Sequence, residues 1–348
     1  MMILSNQRAV PSADPFQVAI VQHPPVFLNL DESIKKAIAL VQEAAHGGAQ
    51  VVIFPETWLP GYPVWLDNAP GAGLWDHAPA KALYRLLVEN SMTLPGPHLA
   101  QLQAATRQAG IYLVMGLHER LGGTLYNTML FLDRRGTVRQ AHRKLMPTYT
   151  ERLVWGRGDG STLAVVETDH GPLGGLICWE HWMPLARAAM QAQGEILHVA
   201  QWPWAKELHH LASRHYAFEG QCFVAVAGCI LSHRDALEGF DSLSSRESGA
   251  RQLLESMPGE GDDLLMQGGS ALVAPDTGYT SGPVYGQATI LYGHVEPARI
   301  VEGHLALDTG GHYARPDIFQ LRVDDRPQPS VRFVSENEGK EPPPPFAQ

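Results

Sequence analysis

Cysteine is scarce in this sequence. The 348 residues contain three cysteines, Cys178, Cys222 and Cys229, which make no even framework of disulfide bonds and so exclude a disulfide-stapled fold. Cys222 and Cys229 flank the apolar run 223–228. We predict that both are buried strand thiols, because an unpaired cysteine is usually core material.

Long apolar runs and basic clusters are also absent. No segment approaches the roughly 20 apolar residues that span a bilayer, and the N-terminal residues show no basic stretch followed by an apolar one, so no secretory signal is predicted. Acidic residues number 36 and scattered basic residues 26, for a net charge of −10. Nucleic acids and anionic membranes both require clustered Lys and Arg. We therefore expect a soluble cytoplasmic protein that binds no nucleic acid and no membrane.

The pattern that is present predicts an α/β domain. Residues 16–22 read as a buried strand, and Asn29 can cap the following helix, with Glu32 as its capping-box partner. Gly47 and Gly48 end that helix, and a second strand follows at 51–54. This β-α-β opening implies a crossover connection and a covered sheet.

Further elements follow along the chain. Helices are predicted over residues 97–108, 183–193 and 205–219, and strands over 111–116, 128–133, 162–167, 173–177, 196–200, 223–227 and 270–274. Turn residues predict hairpins at 133–136 and 275–278. Two long stretches, 58–93 and 231–268, break the pattern, and loops of that length are usually functional or disordered.

The domain organisation follows from these elements. Residues 1–15 are predicted to be an N-terminal extension, and residues 16–334 one folded domain. Residues 335–348 include four consecutive prolines, at 342–345, so this tail is predicted to be disordered.

Three reactive side chains each follow a strand-like apolar run. They are Glu56, Lys144 and Cys178. Side chains placed in this way can converge where parallel strands end, which is where open α/β sheets place their sites. A carboxylate, an ammonium and a thiol make a base, an electrostatic stabiliser and a nucleophile, so the set predicts covalent catalysis by a thiol.

The surroundings of these groups predict their ionisation. Cys178 lies between a strand and a predicted helix, so the helix dipole and a nearby Lys144 should lower the pKa of its thiol. Glu56 follows an apolar strand, and partial burial there should raise the pKa of its carboxyl group towards neutrality. Glu151, seven residues after Lys144, offers a second carboxylate. Taken singly, each residue also has a plain structural reading as a core thiol or a surface charge.

Three segments resemble the signatures of the nitrilases. They are Phe54-Pro55-Glu56-Thr57-Trp58, the run from His142 to Arg152, and Cys178-Trp179-Glu180-His181. Stretches at 123–128, 155–160 and 311–317 are also similar, and the resemblance extends over roughly residues 16–323. Thr150-Glu151-Arg152 and Cys178-Trp179-Glu180 resemble nitrilases more than the amidases or carbamoylases of the same superfamily.

The resemblance implies a fold and a set of roles. The expected fold is the αββα sandwich of the nitrilase superfamily, with residues 16–334 as the catalytic domain. Cys178 would be the nucleophile, Glu56 the general base, Lys144 the stabilising cation and Glu151 the second carboxylate. The implied reaction converts an organic nitrile into a carboxylic acid and ammonia, with no metal and no organic cofactor.

Aromatic residues cluster around the reactive segments. By similarity to nitrilase pockets, the predicted substrate wall is Tyr62, Trp155, Trp179 and Trp202. Such a wall suits an aryl or arylalkyl nitrile, and medium aliphatic nitriles would also fit. The remaining tryptophans of these segments, Trp58, Trp182 and Trp204, are interpreted as packing residues.

Two other functions stay open at this stage, whereas an apparent zinc site does not. The same triad could serve an amidase or carbamoyl hydrolase, and an inactive scaffold protein is an alternative from another class. His209, His210 and His215 lack the spacing of a zinc site and are interpreted as helix residues.

The resemblance also implies an assembly. Dimers would form through helices beside the active site and extend into spiral filaments, with the stretches 58–93 and 231–268 as candidates for the second contact.

Overall fold

The computed structural model describes residues 14–329 and residue 331, so the predictions for residues 1–13 and for the tail 335–348 lie outside the described residues. These described residues contain thirteen strands, with helices between several of them. The strands are β1 (Phe16–Gln22), β2 (Val51–Ile53), β3 (Tyr112–Leu121), β4 (Thr124–Leu132), β5 (Val138–Arg143), β6 (Val166–Thr168), β7 (Gly171–Ile177), β8 (Leu197–Trp202), β9 (Phe223–Gly228), β10 (Ile230–Ser232), β11 (Leu264–Val273), β12 (Tyr279–Tyr285) and β13 (Thr289–Val295).

Nine α-helices lie within the same described part of the chain. They are α1 (Leu30–His46), α2 (Trp65–Asn68), α3 (Ala78–Glu89), α4 (Pro97–Ala109), α5 (Pro184–Gln191), α6 (Glu207–Gly220), α7 (His233–Ser242), α8 (Ser248–Glu255) and α9 (Pro297–Gly303). None of them is long and apolar enough to cross a membrane.

The β1-α1-β2 opening matches the sequence prediction. The Asn29 side chain accepts the Glu32 N–H at 3.2 Å, which satisfies one of the donors left free at a helix start. The Glu32 side chain does not complete a capping box, because it bonds Lys35 at 2.6 Å instead. Strands β1 and β2 pair in parallel, as the crossover requires.

Two sheets face each other. The first has the order β13-β1-β2-β3-β4-β5, and the second has seven strands, with β6, β7, β8 and β9 in succession and β10 and β12 both paired with β11. One buried apolar cluster joins residues of both sheets with α5 and α6, and a second joins the first sheet with α1, α3 and α4. The layers are therefore helix, sheet, sheet, helix, and the predicted αββα architecture is confirmed.

The two long stretches are not loops. The first contains α2 and α3, and the second contains β10, α7, α8 and the start of β11. Helices α3 and α8 contribute to the same apolar cluster, and Arg85 pairs with Glu247 at 2.6 Å. The interpretation of these stretches as long loops was therefore wrong, because they contain helices that pack on each other.

Smaller differences concern the strands at the rim. Residues 162–167 do not form one strand, since a 3-10 turn, Gly160–Thr162, precedes the short β6. Strands β12 and β13 were missed, because most of their residues are partly or fully exposed and show no apolar alternation. Both predicted hairpin turns are confirmed, between β4 and β5 and between β11 and β12.

Candidate active site

Glu56 lies three residues beyond the end of β2. The chain turns here against β3, and a Cβ on Gly116 would lie 2.0 Å from the Pro55 carbonyl oxygen. A glycine at 116 is therefore needed for the segment to approach β3. The Glu56 carboxyl group is buried, and its Oε1 accepts hydrogen bonds from Asn127 Nδ2 at 2.6 Å and Lys144 Nζ at 2.9 Å. Its Oε2 has no partner among the described residues.

Lys144 directly follows β5 and is fully buried. Its ammonium group donates to Glu56 Oε1 and, at 2.6 Å, to Glu151 Oε2. The backbone of Lys144 is held as well, because its N–H donates to the Asn127 carbonyl at 2.8 Å. A full charge in this position tolerates burial only because carboxylates surround it.

Glu151 lies in a 3-10 turn, Tyr149–Leu153, and Thr148 is the N-cap residue of that turn. Its Oε2 accepts the Thr148 N–H at 2.7 Å, which closes a capping box, as well as the bond from Lys144. Its Oε1 accepts the Tyr62 hydroxyl at 3.1 Å. Every oxygen of this buried carboxylate therefore has a protein partner.

Cys178 follows β7 and opens a 3-10 turn, Cys178–Trp182. Its backbone has φ = +52°, a left-handed conformation that side chains with a Cβ rarely adopt. One ligand-type atom from each of Glu56, Glu151 and Cys178 lies within 4.8 Å of the other two. These three groups could also suit a cation, but the Lys144 ammonium bonds both carboxylates and supplies positive charge there.

Burial sets the ionisation of Glu56. Desolvation raises the pKa of Glu56 to about 7, against the opposing effect of Lys144 and with support from the charge of Glu151. The sequence prediction of a raised carboxyl pKa is thus confirmed. Burial alone lowers the pKa of Lys144, but electrostatic interactions with Cys178, Glu56 and Glu151 outweigh it, so the pKa lies well above its ordinary value.

The thiol differs from the prediction. Burial, followed by the charge of Glu56, raises the pKa of Cys178 well above its ordinary value, and the opposing effect of Lys144 is smaller. The expected help from a helix dipole is missing, because α5 begins at Pro184 and Cys178 belongs to a short 3-10 turn. The resting thiol is therefore protonated and needs a base to become a nucleophile.

Comparison with known proteins fits this geometry. The family described as carbon-nitrogen hydrolase matches residues 17–304. The chain belongs to the carbon–nitrogen hydrolase family.

Individual relatives indicate the branch of the family to which the chain belongs. The chain is 39% identical over 324 residues to an aliphatic nitrilase of Sinorhizobium fredii, covering 91% of this chain and 98% of that protein. It is 39% identical over 322 residues to a nitrilase of Bradyrhizobium diazoefficiens, covering 92% and 95%. The NitFhit protein of C. elegans has the same fold, with a TM-score of 0.65 at 15% identity over 91% of this chain and 69% of that one. The sequence relatives place this carbon–nitrogen hydrolase in the nitrilase branch.

Two of the four predicted wall residues reach the reactive cluster of this hydrolase. Tyr62 bonds Glu151, and the centroid of the Trp155 ring lies 5.7 Å from Lys144 Nζ. Burial and the charge of Glu151 hold the pKa of Tyr62 well above its ordinary value, so its hydroxyl remains a donor. The Tyr62 and Trp155 rings meet edge to face, with centroids 5.8 Å apart.

The other two wall residues form a separate aromatic group. Trp202 ends β8 and is fully buried, with its ring against His181 and His209. The Trp179 side chain is 38% exposed and its ring meets His209 edge to face. His209 and His210 lie on α6, as predicted. Trp58 packs against Phe54, in keeping with a structural role.

His118 is a site residue that the sequence did not reveal. The Trp155 Nε1–H donates to His118 Nδ1 at 3.0 Å, so the other ring nitrogen carries the proton and donates to the Gly61 carbonyl at 3.0 Å. Burial lowers the pKa of His118 to about 4, which keeps the ring neutral. The histidine thereby links Trp155 to the residue before Tyr62.

Glu180 was present in the sequence signature but had no assigned role. Its carboxylate accepts the backbone N–H groups of Ile177 and Leu145, both at 2.6 Å, and contacts His142 Nε2 at 3.1 Å. Burial alone would raise the pKa of Glu180, but His142 and these N–H donors hold it below its ordinary value. One carboxylate thus connects the segments that carry Cys178 and Lys144.

Proposed function

We propose that the protein is a nitrilase that hydrolyses an organic nitrile to the carboxylic acid and ammonia. The observation that carries this proposal is the buried cluster itself, in which the thiol and two carboxylates meet and Lys144 bonds both carboxylates. The two relatives named nitrilases, each similar over nearly its whole length, support the nitrile as substrate.

The first half of the reaction makes a covalent intermediate. The free Oε2 of Glu56 accepts the thiol proton as Cys178 Sγ forms a bond to the nitrile carbon. The carbon–nitrogen triple bond opens towards nitrogen, and the Lys144 ammonium stabilises the charge that develops there. Glu56 returns the proton to that nitrogen, which leaves a neutral thioimidate on Cys178.

The second half consumes two waters. Glu56 takes a proton from the first water as its oxygen bonds the thioimidate carbon, and passes it to nitrogen to give a tetrahedral species with a hydroxyl and an amino group. Glu56 then carries the hydroxyl proton to nitrogen as the carbon–nitrogen bond breaks, so that ammonia leaves and a thioester remains. A second water, deprotonated in the same way, adds to the thioester. The carbon–sulfur bond breaks, the thiol regains its proton, and the carboxylic acid departs. A carboxyl group with a pKa of about 7 can both accept and return protons near neutral pH.

Tyr62, Trp155, Trp179 and Trp202 are proposed as the substrate wall. Tyr62 and Trp155 lie against the catalytic cluster, whereas Trp202 and Trp179 line the side that leads from Cys178 to α6. Aryl, arylalkyl and medium aliphatic nitriles are the proposed substrate range. The name of the Sinorhizobium relative, an aliphatic nitrilase, supports the aliphatic members.

A paired substrate panel tests the proposal. Each nitrile is incubated with the purified full chain beside its corresponding amide, and ammonia release is measured. We expect turnover of at least one nitrile at a rate that exceeds its amide. Turnover of the amides alone would make the protein an amidase with the same triad, and no turnover of either, together with no covalent trapping at Cys178, would favour the scaffold alternative.

Matched cysteine variants serve as controls for the panel. Cys178→Ala should release no ammonia while remaining folded. Cys222→Ala and Cys229→Ala should stay active, because both thiols are buried at the ends of β9 and modest core truncations cost about 1 kcal/mol. Ammonia release by Cys178→Ala at the parent rate would overturn the mechanism.

We also propose a cytoplasmic location and assembly into dimers that extend as a spiral. The location is supported by the three cysteines, none of which forms a disulfide in the described part of the chain. The dimer is supported by apolar side chains that α5 and α6 expose beside the site: Leu185, Leu208, Leu211 and Phe218. Leu74 and Trp75 offer a second apolar surface, and a contact that repeats without closing makes a filament.

A further inference from the structure

A chain of buried polar side chains runs from the nucleophile to the outer helix layer. We call it the histidine chain, and its members are His181, His198, Glu195 and Tyr216. His181 lies in the turn that begins with Cys178, His198 on β8, Glu195 just before β8, and Tyr216 on α6. All four are buried, and the proposed reaction uses none of them to move a proton.

Two of its hydrogen bonds point towards Cys178. The Cys178 carbonyl oxygen can only accept, so His181 Nδ1, at 2.7 Å, must carry a proton. Burial, with a smaller contribution from His198, holds the pKa of His181 well below its ordinary value, so the ring is neutral and its Nε2 accepts. His198 Nε2–H, at 3.0 Å, is therefore the donor to it.

The remaining hydrogen bonds follow from the same matching of donors and acceptors. His198 Nδ1 faces Glu195 Oε1 at 2.8 Å, and one proton must lie between them. The Tyr216 hydroxyl donates to the other Glu195 oxygen, and its ring stacks on His198 with centroids 3.7 Å apart. Every polar atom of the histidine chain is thus paired, and connected hydrogen bonds polarise and strengthen one another.

His181, at one end of the histidine chain, hydrogen-bonds a particular peptide group. The carbonyl that His181 holds belongs to the Cys178–Trp179 peptide, and in a trans peptide the C=O and N–H point to opposite sides. The Trp179 N–H therefore lies on the side of the peptide away from His181. The left-handed backbone of Cys178 persists only where surrounding contacts hold it.

We propose that the histidine chain holds the Cys178–Trp179 peptide and, through it, the left-handed backbone that orients the Cys178 thiol. His181 makes the contact with the peptide, and the other three members fix the tautomer and orientation of His181. These are positioning residues, since His181 bonds only the backbone of the nucleophile. The proposal rests on Cys178 as the nucleophile of the proposed function, but not on the choice of nitrile over amide.

Alkylation of Cys178 by iodoacetamide tests the proposal directly. In His181→Leu the carbonyl loses its donor, and we expect the alkylation rate and kcat to fall together by about 10²-fold with little change in KM, as for loss of one preorganised donor. His181→Asn can place an amide N–H near the position of Nδ1, and we expect it to restore most of both rates. His210→Leu removes a buried histidine that lies on α6 and outside the histidine chain, and it should leave both rates unchanged.

Glu195→Gln tests whether the histidine chain depends on its hydrogen bonds or on the ionisable carboxyl group of Glu195. The amide can donate to His198 Nδ1 and accept from Tyr216, so the chain stays complete and the alkylation rate should stay near that of the parent. Tyr216→Phe removes one hydroxyl and keeps the ring stack, and a several-fold loss of rate is expected.

Parent alkylation rates in folded His181→Leu would overturn the proposal. If that variant does not fold, parent rates in Tyr216→Phe would overturn it instead. Iodoacetamide reacts with the thiol whatever substrate the enzyme hydrolyses, so either result leaves the nitrile assignment to be judged by its own panel.

Discussion

The Glu180 carboxylate accepts the backbone N–H of Leu145 at 2.6 Å, although 35 residues separate the two in sequence. The same carboxylate accepts the Ile177 N–H. The residue after Lys144 and the residue before Cys178 are therefore fixed to one buried group. The relative position of Lys144 and Cys178 thus depends on a shared contact that neither strand could make alone.

Glu180→Gln should lower activity without removing any reacting group. The amide keeps one acceptor oxygen but turns its NH2 towards the other backbone N–H, and a buried donor left unpaired costs about 1–3 kcal/mol. We expect kcat to fall at least about tenfold and the melting temperature to drop, with KM changed little. Steady-state kinetics and thermal unfolding measure both. Glu167→Gln, at an exposed position, is the control, and a parent-like Glu180→Gln enzyme would contradict the positioning role.

Lys144→Arg should be nearly as damaging as loss of the lysine. The ammonium is fully buried between carboxylate oxygens at 2.9 and 2.6 Å, and a planar guanidinium cannot reproduce this compact charge. Loss of transition-state stabilisation of this kind typically lowers the rate by about 10²–10³. Single-turnover kinetics with a nitrile give the rate of the chemical step. Parent-like rates in Lys144→Arg would move Lys144 to a structural role.

Activity should rise with pH through about pH 7. Burial raises the pKa of Glu56 to about 7, and only the carboxylate form can accept the thiol proton, so kcat/KM falls below that pH as Glu56 becomes protonated. The hydrogen bond from Asn127 lowers the pKa of Glu56, so its removal in Asn127→Ala should move the acid limb to higher pH. Profiles of kcat/KM against pH for the two enzymes test this. A limb near pH 4.5 in the parent would show that Glu56 is not the titrating base.

The sequence predicted the reactive groups because each lies next to a strong local signal. Glu56 and Cys178 follow β2 and β7, whose apolar runs are readable, and Asn29 marks the start of α1. Lys144 follows the mostly polar β5 and was marked instead by the signature run from His142 to Arg152. Neighbouring residues and strand propensity carry this information.

What the sequence could not give depends on contacts between distant segments. His118 gains its role from Gly61 and Trp155. The thiol pKa is raised by burial and by carboxylates on other loops. Helix α8 lies in a polar stretch, and the mutual packing of α3 and α8 becomes visible only when both are in place. Sequence position alone records neither distance nor burial.

The last prediction concerns the exposed apolar face of α5 and α6. Leu208 and Leu211 are 48% and 54% exposed, one helical turn apart on α6, and side chains at that spacing present one surface. If two copies associate through this face, Leu211→Glu buries an unpaired charge at the contact and should shift the protein towards the monomer. Light scattering measures the mass against the 38.1 kDa of one chain. Leu121→Glu, at a comparably exposed position at the end of β3, should leave the mass unchanged. A fully active parent that is already monomeric would exclude the assembly and leave the catalytic cluster untouched.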